Sequence, residues 1–124
     1  MNDVRGLCPD EWHVPTDLEW ADLENYISAQ GFSGTEGTAL KSTFGWYEGG
    51  NGTDDFGFSA LPGGSRSNVN GNFGGAGSGG RWWSSFPDGG SACARCVYHY
   101  NPGISRNNYY PRIGVSVRCL KDAD

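Results

Sequence analysis

The chain has 124 residues, a formal net charge of -5 and a pI near 4.8, a length that holds one domain and can bury a core of its own. Its 14 Asp+Glu outnumber 9 scattered Lys+Arg, so no basic stripe exists to neutralise phosphates, and neither nucleic acid nor anionic membrane is expected as a partner. No apolar run approaches the ~20 residues of a membrane span, and Met1-Asn2-Asp3-Val4-Arg5 lacks the order of a signal peptide, so no direct membrane insertion is expected and any export signal is expected outside this chain.

In chain order, the first element is a helix. Thr16 with Glu19 three residues later makes a capping box behind Pro15. The helix is predicted to run to about Ala29, with Trp20, Leu23, Tyr26 and Ile27 on its apolar face and Gly31 as its stop. Asp17, Glu19 and Glu24 read as a solvated helix face rather than a general acid/base pair. A second, short helix is predicted over Thr35 to Ser42, anchored by Leu40. From Gly45 onward short apolar pieces alternate with Gly/Asn/Ser/Asp clusters, which reads as short strands on long loops. The predicted strands are Phe56 to Leu61, Arg81 to Ser85, Ala94 to Tyr100 and Gly114 to Leu120. Gly63 to Gly80 is rich in glycine, yet Phe73 within it and Trp82-Trp83 after it predict a folded loop leading into the core. With aromatics at 14% and charged residues at only 19%, the chain is not of disordered composition. The expected class is α+β: one domain over residues 1–124, with two helices, short antiparallel strands and long glycine-rich loops.

Several residues could carry chemistry. Cys8 and Cys119 lie near the two ends; a bridge between them would contribute about 4 kcal/mol in the chain-entropy picture, and the alternative is two buried thiols. Cys93-Ala94-Arg95-Cys96 with His99 forms C-x-x-C-x-x-H, which lacks a fourth zinc ligand and lacks the His directly after the second Cys that haem attachment needs. A thioredoxin-type role needs this motif to open a helix, whereas Val97, Tyr98 and Tyr100 read as strand. Gly74 to Gly80 lacks the Gly-Lys-Ser/Thr ending of a phosphate cradle. Asn51-Gly52-Thr53-Asp54-Asp55 reads as a turn in preference to a calcium loop or a glycosylation site. No catalytic set assembles, so no enzyme activity, cofactor or metal is expected.

One compositional bias stands out. Between Ser84 and Leu120 there is no Lys, Glu, Gln, Met or Trp. An Asn codon ending in C, randomised at its two adenines, reaches fifteen amino acids and none of those five, so the segment fits adenine-directed mutagenesis as well as an Asn/Tyr/Gly-rich recognition loop.

Gly6-Leu7-Cys8-Pro9, Trp12-His13-Val14-Pro15, Glu19-Trp20, Leu40-Lys41-Ser42, Asn51-Gly52-Thr53-Asp54, the run Gly57 to Gly64, Trp82-Trp83-Ser84-Ser85 and Ser116-Val117-Arg118-Cys119 resemble the Fibrobacter succinogenes major paralogous domain. The resemblance implies a C-type-lectin-like fold related to the formylglycine-generating enzyme, in secreted or surface proteins of bacteria. Cys8 and Cys119 match that family's terminal cysteine positions, which favours the bridge.

Within the wider fold group, the bias resembles that of the variable proteins of diversity-generating retroelements. It implies a variable segment at about residues 92–113, with Arg95, Val97, Ile104, Arg106 and the adjoining Gly114 as framework. The diversified, ligand-binding positions would be Cys93, Ala94, Cys96, Tyr98, His99, Tyr100, Gly103, Ser105, Asn107, Tyr109, Tyr110 and Arg112. The expected function is noncovalent binding, receptor or adhesin in type, of a protein or glycan on a cell or virion surface. The expected location is extracellular, on a bacterial cell or a phage. Two alternatives stand beside it: a fixed structural or adhesive surface domain, and a copper oxidase of formylglycine-generating type using Cys93 and Cys96. The latter resemblance rests on Gly89-Gly90-Ser91 before two cysteines, and departs from that family in the cysteine spacing and at Val115.

Overall fold

The computed structural model describes residues 8–67, 69–85, 92–109 and 113–122. They form a mixed α/β structure with two helices and small antiparallel sheets. Strand β1 (Trp12–His13) pairs with β7 (Leu120–Lys121), so both ends of the described chain meet. The Cys8–Cys119 disulfide closes the same junction across a sequence separation of 111. His13, buried beside it, holds Asp122 through Nδ1 at 2.5 Å and Glu19 through Nε2 at 2.9 Å. The Asp122 contact is the main cause that raises the His13 pKa; burial opposes it and Glu19 reinforces it. A histidine held between two carboxylates thus ties the C-terminal strand to the start of the first helix.

That helix, α1 (Asp17–Ile27), starts as its capping box dictates: Glu19 N–H donates to Thr16 Oγ1 and Thr16 N–H donates to Glu19 Oε1. Trp20 and Ile27 are buried and Leu23 packs beside them, while Tyr26 is exposed and meets Phe56 edge-on. A π-turn (Ser28–Phe32) follows, broken within by Gly31 at φ 103°, a conformation glycine adopts without a Cβ penalty. Helix α2 (Glu36–Leu40) buries Gly37, Ala39 and Leu40. The core joins Trp20, Ile27, Leu40, Trp46, Trp82 and Val97, with Phe58 set edge-on between Trp20 and Trp82.

The predicted strand at Phe56 to Leu61 is not formed. Asp54 accepts from Ser59 N–H and Oγ, Ser59 sits at φ 55°, and only an isolated bridge joins Ala60 to Lys41. The glycine-rich segment is folded, carrying a hairpin of β2 (Ser65–Arg66) and β3 (Phe73–Gly74). Phe73, however, does not enter the core: it is exposed under the Arg66 guanidinium. The main sheet runs β4 (Gly79–Trp83), β5 (Ala92–Tyr98), β6 (Ser105–Tyr109), all antiparallel with β5 central. In place of the predicted strand at Gly114 to Leu120, single bridges join Gly114 to Arg66 and Ser116 to Trp82 before β7 begins. Among the described residues no helix is long and apolar enough to cross a membrane.

Candidate ligand-binding face

Side chains alternate across a strand, so the register of β4, β5 and β6 sorts the variable segment into two faces. On the inner face lie Cys93, Arg95 and Val97, opposite Trp82 and Gly80 on one side and Arg106 and Asn108 on the other. Val97 and Trp82 belong to the core. Arg95 is buried with a charge that needs partners, and α1 supplies them: Nη1 to Asp17 Oδ1 at 2.6 Å and Nε to Glu24 Oε2 at 2.9 Å. Arg106 Nε adds a third contact, 2.8 Å from Asp17 Oδ1. Arg106 and then Arg95 hold the Asp17 carboxyl below its usual range. The acidic side of α1 is therefore no solvated face: Asp17 and Glu24 neutralise a buried arginine 78 and 71 residues away, and Glu19 holds His13.

The outer face carries Ala94, Cys96 and Tyr98 between Trp83 and Arg81 of β4 and Asn107 and Ser105 of β6. Ala94 pairs with Trp83 and Asn107, and Cys96 with Arg81 and Ser105. These small side chains sit lower than their cross-strand neighbours, and both residues are fully buried. Ala94 and Cys96 thus form the floor of the sheet rather than its contact surface. Tyr98, Ser105 and Asn107 are half-buried, so part of each reaches the surface. Trp83 and Arg81 were legible as strand residues but not as members of this face, although parity alone separates Trp83 from the buried Trp82.

At the end of β5 the chain turns through Tyr98, His99 and Tyr100. The Tyr98 and Tyr100 rings stack with centroids 5.3 Å apart, His99 meets Tyr100 edge-on at 5.4 Å, and Tyr47 meets His99 at 6.4 Å. Arg81 lies 5.5 Å over the Tyr98 ring. Tyr100 is 71% exposed and Tyr47 56%. This aromatic cluster extends the outer face onto the loops.

Its support is built from below. Lys41, buried at the end of α2, donates through Nζ to Tyr98 O at 3.1 Å and Asn101 O at 3.4 Å, and burial lowers its pKa. Thr38 N–H donates to Pro102 O, and Gly103 N–H closes on Asn101 Oδ1. Gly50 passes directly beneath: a Cβ there would lie 2.5 Å from His99 O and 2.7 Å from His99 Cα. Sequence reasoning missed both Lys41 and Tyr47, whose partners lie about half the chain away.

The two free cysteines do not converge. Three residues apart on one strand, their Cα atoms are about 10 Å apart and their side chains point to opposite faces. Cys93 is half-buried on the inner side, where its Sγ contacts Asn108 Oδ1 at 2.9 Å and receives Arg106 Nη2 at 3.1 Å. Cys96 is buried. Two thiols so placed cannot bridge to each other without movement of the backbone. Asn51 Oδ1 accepts from Trp46 N–H, Asp54 caps Ser59, and Thr53 Oγ1 donates to Asp55, so the oxygens of this segment serve a turn. Among the described residues no group of three His, Cys, Asp or Glu could hold a metal ion. Tyr110 and Arg112 lie outside the described residues, and Tyr109 is placed only by its backbone pairing with Ala92.

The profile of the Fibrobacter succinogenes major domain matches residues 1–121 of the chain. No curated protein and no solved structure matches it significantly.

Proposed function

We propose that this chain, which belongs to the Fibrobacter succinogenes major domain family, is a noncovalent ligand-binding domain whose contact surface is the outer face of the β4–β5–β6 sheet with the Tyr98–Tyr100 turn. The carrying observation is the division of labour inside one segment. Arg95 and Val97 are buried, Ile104 packs on the core, Arg106 pairs with Asp17, and Gly114 exchanges two backbone hydrogen bonds with Arg66. Tyr98, His99, Tyr100, Gly103, Ser105 and Asn107 lie between them with surface to offer. Side chains can change at those positions while the inner face keeps the scaffold, which is the property a diversified binder needs. Stacked tyrosines supply large contact area at low entropic cost, and His99 and Arg81 add polar reach.

On this reading the scaffold is C-type-lectin-like and the chain is a variable protein of a diversity-generating retroelement, displayed on a bacterial surface or a phage virion. Its ligand is a protein or glycan of another cell or virion. The rival copper oxidase needs two thiols at one metal, which the opposed faces of Cys93 and Cys96 do not provide. A fixed adhesive domain would use the same surface without variation. Binding to a printed glycan array and to a panel of purified bacterial surface proteins tests the proposal. The expected result is at least one specific ligand whose binding falls tenfold or more in Tyr100→Ala with an unchanged melting temperature. A ligand bound equally well by Tyr100→Ala and by a Tyr98→Ala/Asn107→Ala variant would place the site elsewhere.

A further inference from the structure

Away from that face, a cavity of about 250 Å³ opens between α1, Phe58 and the C-terminal strand. Its walls are Trp20, Leu23, Phe58 and Leu120, and its polar lining includes Glu19 and Arg118. We propose that this cavity binds a small monocarboxylic acid with a compact apolar body, an aromatic ring or a branched chain.

Three observations carry it. First, the Trp20 ring lines the cavity with Leu23, Phe58 and Leu120, an enclosure of aromatic and branched side chains that suits an occupant of the same apolar character. Second, the charges on the lining are unequal. Glu19 is already engaged by His13 at 2.9 Å and by Thr16 N–H at 3.0 Å. Arg118, lying 4.1 Å over the Phe58 ring, spends Nη1 on Phe58 O at 2.6 Å. Its guanidinium has further donors and no carboxylate within salt-bridge distance among the described residues; Asp54, bound to Ser59, acts on it only at longer range. The cavity therefore favours an anion over a cation. Third, the size fits: a cavity of about 150 Å³ already holds a benzene ring, which leaves room here for a ring with a carboxylate.

The test is a titration of the ¹⁵N-labelled protein with phenylacetate, following the sequentially assigned Trp20 indole N–H, with phenylacetamide as the neutral counterpart. A saturable Trp20 shift is expected, with the amide at least tenfold weaker. Arg118→Gln, a change at an exposed residue, should weaken phenylacetate at least tenfold and leave the amide within twofold. Absence of a saturable Trp20 shift overturns the proposal, as does equal binding of acid and amide by the unmodified protein. So does a folded Arg118→Gln variant with unchanged affinity for the acid.

Discussion

Arg95 offers an asymmetric test of how the inner face is held. Its side chain is 4% exposed, whereas those of its partners Asp17 and Glu24 are 46% and 26% exposed. Removing the carboxylates (Asp17→Asn with Glu24→Gln) leaves a buried guanidinium without a counter-charge; it keeps neutral acceptors, the two amide oxygens and the Asp17 main-chain carbonyl at 3.2 Å. Loss of one side of a buried pair costs about 3–5 kcal/mol, and the surviving neutral contacts put this case near 3. Removing the arginine instead (Arg95→Met) keeps an apolar stem of similar volume. The two carboxylates then reach water, and Asp17 keeps Arg106, so a loss of about 1 kcal/mol or less is expected. Urea denaturation at neutral pH, followed by tryptophan fluorescence, measures both. The thermal equivalents are about 12 °C and 4 °C, at about 4 °C per kcal/mol for a domain of this size. Should Arg95→Met prove as damaging as the double carboxylate variant, Arg95 would be held by packing and the electrostatic reasoning would be wrong.

Further outcomes follow from other contacts. The His13 pKa is raised on folding from 6.5, so its contribution to stability is complete below that value and is lost as pH climbs through the folded value. Stability measured against pH should therefore decline upward from about 6.5 in the parent protein and lose most of that slope in His13→Gln. Asp17 behaves oppositely: its lowered pKa gives a contribution present above 3.8 and lost as pH falls through the folded value, which acid titration of Asp17→Asn against the parent should reveal. Replacing Cys8 and Cys119 by Ser should lower unfolding free energy by about 4 kcal/mol, read from urea midpoints under oxidising conditions. Gly50→Ala should displace His99 and the aromatic turn, visible as large amide shifts at residues 98–101, while the Trp82 and Val97 signals of the core stay in place.

What the sequence disclosed depended on how local the physics was. The start of α1 was legible because a capping box needs only Thr16 and Glu19, and β5 because Val97 and Tyr98 are strand formers. The terminal disulfide was legible only through family resemblance, since spacing left two buried thiols equally open. β6 was not foreseen: Ser-Arg-Asn-Asn-Tyr has little strand propensity of its own, and its ladder with β5 supplies what propensity does not. The strand expected at Phe56 to Leu61 was lost to the Asp54 side chain, which captures the Ser59 backbone N–H. Of the proposed contact surface, the Tyr98–Tyr100 turn and the β6 positions Ser105 and Asn107 were named only through the resemblance to variable proteins. The burial of Ala94 and Cys96 was not, because it depends on neighbours in two other strands. Nor were the Lys41 clamp and the Tyr47 contact with His99, which join segments distant in sequence.

The central claim is that one surface varies on a fixed scaffold, and sequencing this coding region across a natural population, with the DNA immediately downstream, tests it most directly. The account predicts substitutions restricted to adenine positions, concentrated at Tyr98, His99, Tyr100, Ser105 and Asn107 and sparing Arg95 and Val97, beside a near-identical template repeat. An invariant segment with no repeat, or variation falling equally on the buried residues, would contradict it.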